Sequence, residues 1–107
     1  MWWVHEGEVR ESALDPADLG IARGTTEALR GGDAAHNADV VRRLLDGESG
    51  AVRDAVVLNA GAALAVYDAP GTPPAEALGA GVARAVEAID SGAARATLDR
   101  WVEASAR

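Results

Sequence analysis

Apolar and polar positions alternate at the start of the chain, where "WWVHEGEVRESALDP" sets two short runs on either side of Glu6-Gly7. That layout predicts a β-hairpin with strands Trp2 to His5 and Glu8 to Ala13, Gly7 supplying the positive φ of a tight turn. Asp15-Pro16 stops the second strand. Up to Gly32 the pattern is one of short turns: "DPADLG" predicts a helical turn closed by Gly20, and "TTEALRGG" another closed by Gly31 or Gly32.

From residue 34 the apolar period lengthens to that of a helix. The first helix, about 34–46, places Ala34, Ala38, Val41 and Leu45 on one stripe with Val40 and Leu44 beside it; Asp39, Arg42, Arg43 and Asp46 take the wet face. "DGESG" breaks it. The second, about 51–67, has no charged residue past Asp54, which predicts a central helix covered on both sides. "DAPGTPP" (68–74) reads as a loop, with Thr72 as N-cap and Pro73 in the first helical position. The third helix, about 74–89, aligns Leu78, Val82, Ala85, Val86 and Ile89. Ser91 is placed to cap the last one, whose stripe is Ala94, Leu98, Trp101 and Val102. The expected architecture is α+β, one partial domain over 1–107: hairpin and turns to residue 33, then a cluster of about four α-helices. Two strands alone are a marginal sheet, so the hairpin implies a missing neighbour.

Composition narrows the chemistry. The 107 residues carry a net charge of −7, which argues against a nucleic-acid partner because phosphate binding needs clustered cations. All ten basic residues are Arg, which excludes any step that needs a lysine amine. There is no Cys, so thiol nucleophiles, thiolate metal sites and disulfides are absent. No run is long and apolar enough to cross a membrane, and "MWWVHEGEV" lacks a signal-peptide layout, so the expected location is the cytoplasm.

The candidate motifs resolve into structural roles. Gly31-Gly32-Asp33 suggests a phosphate-cradling loop at a helix start. Asp33, however, sits where the anion would, and reads better as an N-cap accepting from the N–H of Ala35 or His36. His36 stands where a capping box needs Glu or Gln. His5 and His36 are far apart and lack metal-ligand spacing. Glu6, Glu8 and Glu11 surround a hairpin turn, where carboxylates are solvated, and Ser12, Ser49, Ser91 and Ser105 lack a nucleophile-elbow context. Asn37 and Asn59 fall on apolar helix surfaces, which predicts that both are internal ties joining the 20–32 region to the helices.

Four segments, "GEVRESALDPADLGI" (7–21), "LRGGDAAHNADVVRRLLDGESG" (29–50), "RDAVVLNAGAAL" (53–64) and "AIDSGAA" (88–94), together resemble the C-terminal part of the anthranilate phosphoribosyltransferases. Family members often have Glu at His36, Pro at Ala51 and a basic residue at Ala93, departures that bear on stability. The resemblance implies a piece of a larger α/β domain in a glycosyltransferase of tryptophan biosynthesis, which uses Mg2+ to move the phosphoribosyl group of PRPP to anthranilate. The family's working segments are a Gly-Thr-Gly-Gly-Asp loop, a Lys-His-Gly-Asn segment and a metal-binding Asp-Glu pair. None is in this chain, and the Asp-Glu pair would fall shortly before Met1. The "RGGD" is a chance echo of the first, so no catalytic, substrate-binding or metal residue is carried over and the chain is expected to bind no cofactor itself.

Two functions remain: a C-terminal portion of such an enzyme, inactive alone, or a short stand-alone derivative acting as a non-catalytic interaction or assembly module. Reuse of the helix faces for a small ligand is a weaker third. Met1 opening directly on a strand fits a short reading frame, a proteolytic remnant or a trimmed chain. The partner is expected to be the missing N-terminal part or a second copy, so light scattering should find a dimer. Asn59→Leu should lower thermal stability if the tie exists.

Overall fold

The computed structural model describes residues 1–68 and 71–106, and in it the hairpin is followed by two 3-10 turns and four helices. This is the α+β order expected. Strand β1 (Trp2–His5) pairs antiparallel with β2 (Glu8–Glu11), with Trp2 opposite Glu11, Trp3 opposite Arg10, Val4 opposite Val9 and His5 opposite Glu8. Glu6 (φ 48°) and Gly7 (φ 79°) are both left-handed, the geometry that a two-residue hairpin turn needs to match the strand twist. The second strand stops two residues short of Ala13. Ser12 already pairs with Met1 in both directions, at 2.8 and 2.9 Å, which leaves Ala13 nothing to face.

Asp15 caps the 3-10 turn Pro16–Leu19 through the N–H of Ala17, and Gly20 (φ 73°) closes it as expected. The second turn, Glu27–Leu29, ends earlier than predicted. Arg30 is already extended (φ −67°, ψ 123°), so Gly31 and Gly32 do not close it.

The helices are α1 (Ala34–Leu45), α2 (Ala51–Asp68), α3 (Pro74–Asp90) and α4 (Ala93–Ser105). Two expected caps shift. Pro73, not Thr72, is the N-cap of α3, because Pro74 behind it forbids helical geometry at Pro73, which sits at ψ 133°. Ser91 closes α3 rather than opening α4: its N–H bonds to the Glu87 carbonyl, and Gly92 (φ 77°) makes the reversal. Part of the loop expected at 68–74, residues 69 and 70, lies outside the described residues.

The core is the α2–α3 seam. Val57 and Ala65 of α2 meet Ala77, Leu78, Val82, Ala85 and Ile89 of α3, joined by Leu44 and Ile21. At its centre the two backbones touch. A Cβ on Gly61 would lie 2.7 Å from the backbone N of Val82, and one on Gly81 would overlap the Gly61 carbonyl oxygen and lie 2.9 Å from its carbon.

Three expected stripes are only partly covered. Helix α2 buries a single face, while Val56, Val66 and Tyr67 are exposed, so it is not the enclosed central helix its uncharged sequence predicts. In α1 only Leu44 is buried. In α4, Ala94 and Leu98 are half-buried but Trp101 and Val102 face water. The physical reason is common to all three: the apolar faces are present but no element among the described residues packs on them.

Replacing Gly81 with Ala should cost about 1–3 kcal/mol despite the better helix propensity, because the methyl has only backbone to push against. Gly79→Ala, on the same helix with open space at its Cβ, should stabilise by about 0.5–1 kcal/mol. Urea melts of the two variants check the contrast.

Candidate functional site

The helix entrance at residues 31–37 is closed by the chain's own groups. Asp33 is extended (ψ 176°) and its carboxylate accepts from the His36 N–H at 2.8 Å. The Asn37 carboxamide clips Gly32 from both sides, its Oδ1 accepting from the Gly32 N–H and its Nδ2 donating to the Gly32 carbonyl, each at 2.9 Å. This pair takes over the reciprocal role that Glu plays in a capping box. The glycines are needed for closeness. A Cβ on Gly32 would lie 2.9 Å from the His36 ring, and one on Gly31 would lie 3.1 Å from the Asn37 Oδ1. Two of the entrance's backbone donors, those of Gly32 and His36, are thus taken, and a carboxylate holds the anion's place.

Asn37 therefore ties the 20–32 region to a helix, as expected, although it is exposed. Asn59 does not. It is exposed on α2 and its Nδ2 donates to the Ala55 carbonyl of its own helix at 2.8 Å. The reason is again the uncovered face of α2, which leaves Asn59 no second element to reach.

The remaining polar candidates stay apart. His5 is half-buried beside Gly71 and 3.9 Å from the Glu6 carboxylate; His36 is exposed at the start of α1. Glu8 pairs with Arg10 at 3.0 Å, Glu6 sits in the turn and Glu11 lies opposite Trp2, all exposed. Ser12 lies at the open end of the hairpin, Ser91 closes α3, and the Ser105 hydroxyl donates to the Val102 carbonyl. Among the described residues no three His, Asp or Glu side chains are grouped to hold a metal ion.

Three concavities among the described residues bear on the candidates. One of about 520 Å³ separates Trp3, His5 and Arg10 from Gly71–Pro74. A second, about 300 Å³, is bordered by Arg30, His36, Arg43, Glu48 and Arg53 at the start of α2. Its guanidiniums are largely engaged, Arg43 with Asp39 and Glu48, and Arg53 with Asp90 at 2.6 Å. Arg53 escaped the sequence reading: only 13% of its side chain is exposed, and its Nη1 is buried with no hydrogen-bond partner among the described residues. The third, about 490 Å³, is mainly apolar, between Ile21, Leu29 and Leu58. None brings a nucleophile, a base and an acid within reach of one point. The perturbed groups are clamps. Arg23 and the Ala17 N–H hold the Asp15 carboxyl below its usual range, and Asp46 followed by Asp99 raises the Arg95 guanidinium where α4 meets α1.

The sequence profile of the glycosyl transferase family, a/b domain, matches residues 1–95. The chain belongs to that family. It is 75% identical over its full length to an anthranilate phosphoribosyltransferase of a Nocardioides species, covering 31% of that protein. It is 57% identical to the enzyme of that name from Streptomyces avermitilis and 59% to that of Thermobifida fusca, covering 98% of this chain and 30% of each relative. The chain thus spans under a third of the length of the curated relatives it matches, their C-terminal portion. Among the described residues no helix is long and apolar enough to cross a membrane.

Asn37→Ala should cost about 1 kcal/mol in thermal or urea unfolding, while Asn59→Leu should change stability by less than about 0.5 kcal/mol. The Asp15–Arg23 contact sets a pH dependence. Because the folded carboxyl titrates below the unfolded value of about 3.9, its contribution is complete above that pH and is lost as pH falls through the lower folded value. Hydrogen exchange at the Ala17 and Gly20 amides should accelerate relative to the helices over that range, and Asp15→Asn should abolish the difference.

Proposed function

We propose that this chain is the C-terminal part of an anthranilate phosphoribosyltransferase, supporting the active site from behind and transferring nothing by itself. The observation that carries the reading is the 75% identity along the whole chain to a protein more than three times as long. The residues present agree with it. Stabilising a departing pyrophosphate needs a metal or cations aimed at the developing charge. Here the carboxylates are scattered or paired with arginine, and the Gly31-Gly32 helix entrance is occupied by Asp33 and Asn37. Among the described residues no three His, Asp or Glu side chains are grouped to hold the Mg2+ of the reaction, and on this reading it is held by upstream residues.

The partner is then the upstream part of such an enzyme, or a second copy where that part is absent, and the setting is the cytoplasm. A stand-alone module built from the same family would present the same uncovered surface. An in-frame Asp-Glu and Lys-His-Gly-Asn upstream in the genome favours the enzyme part, and their absence favours the module.

Purified chain supplied with PRPP, anthranilate and Mg2+ should form no phosphoribosyl anthranilate, even at stoichiometric protein. Measurable turnover overturns the proposal.

A further inference from the structure

The outer face of α2 combines two properties that do not normally coexist. Between Ala55 and Tyr67 it has no charged residue, yet Val56, Asn59, Ala63 and Val66 line one stripe that is open to solvent. A helix face exposed in the finished protein ordinarily carries charges, whereas this one is composed like a buried face. The buried stripe of the same helix, Val57, Gly61 and Ala65, is already committed to α3.

Area and dimensions give the scale of what is missing. The chain exposes 7493 Å², whereas a folded monomer of 10.9 kDa exposes about 5,600 Å². Its radius of gyration is 15.4 Å against about 13 Å for a compact chain of 107 residues. The excess of roughly 1,900 Å² is more than twice what one partner contributes to a standard protein–protein interface, about 800 Å². It is on the scale of a domain core cut open.

We infer that the Val56–Asn59–Ala63–Val66 face of α2 is the docking surface for the upstream two-thirds of an anthranilate phosphoribosyltransferase chain. Asn59 is the polar position that fixes its register. The occupant follows from the length: the relatives that match this chain end to end have some 70% of their sequence outside it. Asn59 uses its Nδ2 on the Ala55 carbonyl, while its Oδ1 has no partner among the described residues, so a donor from the docked chain would complete it. A lone amide in an apolar seam penalises every alignment that leaves it unsatisfied. The inference rests on the function proposed above.

The test co-expresses the tagged 107-residue chain with the upstream two-thirds of the Nocardioides relative. That relative's own C-terminal third, supplied in trans, establishes that the upstream part folds. The wild-type chain should co-purify with it at one to one. Val56→Asp with Val66→Asp should lower recovery at least tenfold, and Asn59→Ala several-fold. Both should leave the isolated chain's circular dichroism and melting unchanged, because these side chains are exposed there. Ala104→Asp, on the exposed end of α4, should co-purify as wild type. If the double variant co-purifies normally, the docking face is wrong while the enzyme-part reading stands. If the wild-type chain fails where the relative's own third succeeds, both fall. A homodimer that forms through this face and excludes the upstream part overturns the occupant in favour of a second copy.

Discussion

The fold depends on one close approach, where Gly61 of α2 and Gly81 of α3 let two helix backbones meet without side chains between them. Removing both Cβ atoms forfeits helix propensity at two positions, and the close packing they permit offsets it. With Phe absent from the sequence, the core has no bulky ring to fill a wider gap. Val57, Ala65, Ala77, Val82 and Ala85 are small, and they fill the space only because the helices are near. Leu78, Ile89 and Leu44 extend the same seam toward its ends.

Around that seam the chain is held by polar clamps between elements. Arg53 joins the start of α2 to the end of α3 at Asp90, Arg84 joins the middle of α3 to Asp68 at the end of α2, and Arg95 joins α4 to Asp46 at the end of α1. A solvent-accessible pair such as Arg84–Asp68 adds little stability singly, whereas the Arg53 guanidinium is largely buried; together they fix orientation where apolar cover is thin. The hairpin's half-buried Trp3 and His5 border a concavity opposite Gly71–Pro74, and Trp2, Val4 and Val9 are exposed. Among the described residues α2 and α4 each show one covered or half-buried face and one apolar face without cover.

The glycine-rich entrance shows how a short motif can resemble a ligand loop and serve another purpose. What separates the two is the fate of the backbone donors. In a phosphate loop they are free; here Asp33 and Asn37 consume those of His36 and Gly32. Asp33 was legible in the sequence because a cap acts within one turn. The Asn37 clip was partly legible, since its position on α1 follows from periodicity while its partner, Gly32, depends on the angle at which the chain enters the helix.

By itself the sequence determined the local structure: the Glu6-Gly7 turn with Gly7 left-handed, the Pro16 and Gly20 bounds of the first 3-10 turn, four helices within a residue or two, and the α3 stripe. These follow from φ preferences, capping and period, which act over a few residues. Its composition also excluded lysine and thiol chemistry. Tertiary structure alone decided which apolar faces are covered, and therefore that Asn59 bonds within its helix, that Trp101 meets water and that α2 is buried on one side only. Hydrophobic patterning records that a face is to be buried but not which polypeptide buries it. For α2 the pattern predicted cover on both sides, whereas in the structure one face packs on α3 and the other, with Val56 and Val66, meets solvent.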